Sequence, residues 1–141
     1  MDYTLTATVD AAYDDAVVQV REALAEQGFG VLTEIDIQAT LRAKLGVEVA
    51  PQVILGACRP PLAHAALQAD PSIAALLPCN VVVRAAEQGV VVEAIDPDAM
   101  MSLAGGPAVR EVAADAKQRL TAALAAVASR SETRQPDSKE A

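Results

Sequence analysis

Aromatic side chains are almost missing from this chain, which has one Phe, two Tyr and no Trp among its 141 residues. Because 52% of the residues are still hydrophobic, the core has to be assembled from Val, Leu, Ile and Ala. Interdigitating small aliphatics suit helices packed on a sheet. Positive charge is also scarce. Eleven Lys and Arg stand against 19 Asp and Glu, a net charge of −8. That balance repels a phosphate backbone and argues against nucleic-acid binding. No apolar run approaches the length that spans a bilayer, so no membrane partner is expected. Met1-Asp2-Tyr3-Thr4 has neither the basic nor the apolar part of a secretion signal, so a cytoplasmic location is expected. Cysteine occurs twice and histidine once. In a reducing compartment the two cysteines read as thiols rather than a disulfide.

What is present is a regular alternation of strand and helix signals. Tyr3 to Val9 alternates Thr with Leu, Ala and Val, the period of a half-buried strand. Asp10 stands where a helix cap belongs, and Val17, Val20 and Leu24 with Ala16 and Ala23 form one stripe, predicting a helix over 11–27 that Gly28 stops. Phe29 to Ile35 reads as a second strand. Asp36 caps a short helix with Ile37, Leu41 and Leu45 on one face, ended by Gly46. Gln52 to Ala57 is almost continuously apolar, the pattern of a central strand. Pro60-Pro61 opens a helix to Ala69, since the first helical positions need no donor. After a turn at Asp70-Pro71 and a loop through Pro78, strands at 80–85 and 90–95 form a hairpin around Gly89. Asp96-Pro97 starts a short helical turn, and Gly105-Gly106-Pro107 separates it from a long helix carrying Val109, Val112, Ala116, Leu120, Leu124 and Val127 at the 3.6 period.

The order β-α-β-α-β-α-β-β-α predicts a single α+β domain (an α/β two-layer arrangement) over 1–128, with a mixed sheet of about five strands covered by helices. From 129 to 141 the composition turns polar without an apolar anchor and reads as a disordered tail.

Four blocks in this order, GFGVLTEIDIQATLRAKLG at 28–46, VILGACRPPLAHAAL at 53–67, LLPCNVVV at 76–83 and AIDPDAMM at 94–101, resemble the domain of unknown function 302 family. The resemblance spans nearly the whole chain up to the tail. It implies a small α+β domain that forms a homodimer, and it brings no activity with it. Arg59 departs from it, since a smaller polar residue such as Asn is expected after Cys58.

The reactive chemistry concentrates at one strand-to-helix turn. Cys58 ends the third strand and precedes a helix N-terminus, the place where open α/β sheets hold ligands and where Arg59 and the helix dipole favour a thiolate. The alternative is a small buried hydrophobe, the usual state of a free cysteine. His64 falls beside Gln68, off the apolar face of Leu62, Ala63, Ala66 and Leu67. It is a candidate metal ligand or base, or else a surface histidine. Cys79 starts the fourth strand. Cys58, His64 and Cys79 are therefore the candidate ligand or metal set, with Arg59, Asn80 and Met100 as candidate pocket residues. The spacing C-x5-H-x14-C matches no structural zinc pattern. A soft ion such as Cu(I) would suit two thiolates, with a thioether from Met100-Met101, although such a Met pair also fills gaps in cores. No haem, iron–sulfur or nucleotide motif is present. Glu34, Asp36, Asp96 and Asp98 read as caps and turn residues before acid–base groups. Three functions follow: a small homodimeric module binding a metal ion or small ligand at the Cys/His pocket, a cysteine-dependent redox or transfer enzyme using Cys58, or an interaction module without a catalytic site.

Overall fold

The computed structural model describes residues 3–140, without the side chains of Met101 and of 130–140. Five strands form one sheet: β1 (Thr4–Val9), β2 (Gly30–Asp36), β3 (Gln52–Cys58), β4 (Cys79–Ala86) and β5 (Gly89–Ile95). Their order across the sheet is β1-β5-β4-β3-β2. Every pairing is antiparallel, which corrects the mixed sheet that the element order predicts. The reason lies in α1 (Tyr13–Glu26). It carries the chain from one edge strand to the other, so β1 and β2 never meet. From β2 onward each strand returns beside its predecessor, and β5 finally pairs with β1.

Helix α1 begins at Tyr13 with Ala12 as its N-cap and no side-chain cap. Asp10, read as the cap, lies two residues before that N-cap position. At the other end Gly28 is left-handed (φ 85°), and the N–H groups of Gly28 and Phe29 return to Ala25 O and Leu24 O. Helix α2 (Ile37–Leu45) is capped as its sequence demands: Asp36 accepts from Ala39 N at 2.9 Å and Gly46 is left-handed. Helix α3 (Pro60–Ala69) is followed by a 3-10 segment, Pro71–Leu76, where a turn was expected; Asp70 caps it through Ser72 N. Helix α4 (Pro97–Met101) starts under Asp96, and α5 runs from Pro107 to Glu140. Of the tail expected to be disordered, 129–141, Ser129 is described in full, 130–140 by backbone alone, and Ala141 lies outside the described residues.

Alternation along the strands sends Val9, Leu55, Val81, Val83 and Val92 to one face, each buried under α1 and α5. On α1 the buried stripe is Ala16, Val20, Ala23 and Leu24, and on α5 it is Leu120, Ala123, Leu124 and Val127. A second, smaller cluster gathers Ala66, Ile73 and Val109 where α3, the 3-10 segment and the start of α5 meet. On the opposite sheet face Glu93 accepts from Arg84, Thr4 and Thr6.

Candidate functional site

The seam between the two apolar clusters is underfilled. Its walls come from Phe29 and Ala57 on the sheet side, from Leu62, Ala63 and Ala66 of α3, and from Val112, Ala113 and Ala116 of α5. Alanines predominate at this junction and Phe29 is the chain's single phenylalanine, so few large side chains are present to close it. The result is a nearly wholly apolar cavity of ≈ 60 Å³.

Both sulfurs reach it. Cys79 is the register partner of Ala57 across β3 and β4, and it is buried on the helix-covered face. Cys58, one residue further along β3, is half-buried at the strand's end and lines the same cavity. Burial pushes the Cys79 thiol above its ordinary value, and charge on neighbouring Cys58 acts in the same direction. Arg59 and Met100 complete this part of the wall.

The remaining sequence candidates lie elsewhere. His64 is exposed on α3 and is not among the lining residues. The helix turns Leu62, Ala63 and Ala66 inward, which leaves the imidazole on the outer flank. Asn80, one step beyond Cys79, points to the other sheet face by strand alternation and lines a separate groove of ≈ 580 Å³ with Tyr3, Pro78, Val82 and Glu93. Met100 lines both spaces. Among the described residues no group of three or more His, Cys, Asp or Glu side chains could hold a metal ion. The structure therefore brings two of the three candidate ligands to one place and leaves the imidazole outside it.

The turn into α3 has unusual hydrogen bonding. Pro60 and Pro61 have no N–H, and the next two, of Leu62 and Ala63, both donate to Arg59 O at 3.0 Å. This helix start thus carries a dipole but offers no free backbone donor. Arg59 packs against the turn after α1: a Cβ built on Gly28 would lie 2.9 Å from its Nε. With φ at +85° as well, that position accommodates only glycine without strain.

The family model for domain of unknown function DUF302 matches residues 5–127. The chain belongs to the DUF302 family. Its fold is similar to that in the "Crystal structure of uncharacterized conserved protein DUF302 from Bacillus stearothermophilus", with a TM-score of 0.83 and 28% identity over 90% of this chain and 99% of that one. Comparison with curated proteins gives no match. Four of the residues that sequence reasoning singled out for the DUF302 domain, Cys58, Arg59, Cys79 and Met100, border the cavity. It missed the walls given by Phe29, Leu62 and α5. The 3.6-period stripe of α5 was the available signal, because Val112 and Ala116 continue it toward the second cluster. No helix among the described residues is long and apolar enough to cross a membrane.

Proposed function

We propose that this domain is a homodimeric binding module whose seam cavity takes a small apolar group beside the sulfurs of Cys58 and Cys79. The observation that carries this reading is that two thiols from different strands border one apolar cavity. At ≈ 60 Å³ the cavity is well below the ~150 Å³ that accommodates benzene, so the group inside is limited to roughly three or four heavy atoms. Nucleophilic catalysis would need a base within hydrogen-bond reach of the sulfur. The single histidine is on the outer flank of α3, which favours binding over transfer chemistry. The free thiols suit a reducing compartment such as the cytoplasm.

Support for a homodimer comes from the β2 edge. Leu32, Ile35, Leu45, Val47 and Val49 are all large, apolar and exposed within 18 residues of sequence, and α2 has no buried residue. An uncovered edge strand beside apolar side chains fits a second copy of the same chain through a two-fold contact.

Two measurements test these readings. Titration of methyl-labelled protein with 1-butanol should shift Met100 and Ala66 resonances, and enlarging the wall with Ala66→Leu should suppress the shift. Unmoved cavity methyls would remove the binding reading. Sedimentation should give a dimer that Leu45→Glu converts to monomer; a monomeric wild type would remove the second claim alone.

A further inference from the structure

We propose that Cys58 and Cys79 are a redox pair, which a peroxide joins in a reversible disulfide that closes the seam cavity. The closure rests on the binding reading above, whereas the bond itself does not.

Position is the first observation. The β3–β4 register ends with Ala57 opposite Cys79, and Cys58 is the next residue of β3. Strands about 4.8 Å apart, with a rise of about 3.4 Å per residue, set the two cysteine Cα atoms roughly 6 Å apart. Disulfides take Cα separations of about 4.4–6.8 Å. Regular alternation would turn the two side chains to opposite faces, but β3 stops at Cys58. Pro78, which would come opposite it, has no N–H with which to continue the ladder. Cys58 borders the seam cavity together with Cys79, and it does not border the groove on the other face, where Pro78 and Asn80 stand. Charge on Cys58 is also felt at the Cys79 thiol.

The second observation is unequal access. Cys58 is half-buried at the strand's end and Cys79 is buried. They are the chain's only cysteines, so no other pairing within one chain competes. An accessible sulfur beside a protected one suits oxidation in two steps. The Cys58 sulfur attacks one oxygen of hydrogen peroxide and the O–O bond breaks. Cys58 becomes a sulfenic acid, and the departing hydroxide leaves as water with the Cys58 thiol proton. The Cys79 sulfur then attacks Cys58 Sγ and the S–O bond breaks. That oxygen leaves with the Cys79 proton as a second water. Two electrons have passed from the sulfurs to the peroxide, and the chain has lost two hydrogens. A dithiol reverses the bond by exchange.

Forming the bond draws the Cys58 sulfur from the rim toward Cys79, into a space of ≈ 60 Å³. Where roughly three or four heavy atoms fit, one sulfur takes a large share of the room.

The test treats the reduced full chain with hydrogen peroxide and reads peptide maps without reductant. The Cys58 and Cys79 peptides of one chain should be joined, with two hydrogens lost, and dithiothreitol should separate them. Cys79→Ala should instead hold Cys58 as a sulfenic acid that dimedone traps. Cys58→Ser should leave Cys79 unoxidised in the native protein. The oxidised wild type should lose the Ala66 methyl shift with 1-butanol and regain it on reduction. Over-oxidation of Cys58 with Cys79 unchanged, or a disulfide formed only between two copies, overturns the redox pair. A Cys58–Cys79 disulfide that leaves the methyl shift intact overturns the closure. If the reduced protein gives no shift, the binding reading and the closure fall together, and the peptide map alone decides the redox pair.

Discussion

Ala57 and Cys79 face one another across β3 and β4, and this pairing fixes where the two sulfurs stand. Cys79 belongs to the paired region and is buried with it, whereas Cys58 is one residue beyond and half-buried. Their reactivities should differ accordingly. Iodoacetamide at pH 8 is expected to add one label, at Cys58, in the native protein and two after denaturation. Burial holds Cys79 protonated above the usual thiol range as well as out of reach. Peptide mass spectrometry checks this, and equal labelling of both in the native state would contradict it.

Gln19 is 7% exposed on the buried stripe of α1, and its Oε1 has no hydrogen-bond partner. Replacing the amide with a thioether of similar length removes an unsatisfied acceptor and keeps the volume. Gln19→Met should therefore raise stability by about 1–2 kcal/mol in urea unfolding. A loss of stability would mean that the amide is satisfied in solution.

Gly56 lies in β3 under Thr33 and Pro78. A Cβ there would collide with Thr33 Oγ1 and stand 2.8 Å from Pro78 Cγ. Gly56→Ala should destabilise by about 1–3 kcal/mol through overpacking. Adding Thr33→Ala should recover part of the loss, because one of the two obstacles is gone; a double-mutant cycle measures the coupling. Strictly additive effects would show that the strand yields instead.

Glu93 accepts hydrogen bonds from Arg84, Thr4 and Thr6, which hold its carboxyl below the ordinary 4.5 against the opposing effect of burial. Its folded value lies below its unfolded one. The stability it adds is thus complete above about pH 4.5 and is lost as pH falls through the folded value. Glu93→Gln should cost about 1 kcal/mol at pH 7, the pair being partly exposed. The cost should shrink toward zero near pH 2. Chemical denaturation at several pH values tests the sign.

Local signals made most elements legible in the sequence. Asp36, Asp70 and Asp96 each accept from a backbone N–H within three residues, so their caps could be read without knowing any distant partner. Strand pairing could not, because it depends on which edge α1 delivers the chain to. The site divides along the same line. Cys58 and Arg59 share one turn, and the helical wheel already placed His64 away from Leu62 and Ala66. The walls supplied by Phe29, Val112 and Ala116 come from segments far apart in sequence. The unpartnered Nε of Arg59 packs against Gly28, at a turn about 30 residues upstream, and no spacing pattern records that.

The pairing of Thr4 with Ile95 has a consequence for biosynthesis. The first strand emerges from the ribosome long before the last, and it has no neighbour until about 90 further residues have followed. During translation β2, β3 and β4 can zip together one after another, while the N-terminal segment waits. Final closure then depends on a contact of high sequence separation, the kind that slows folding.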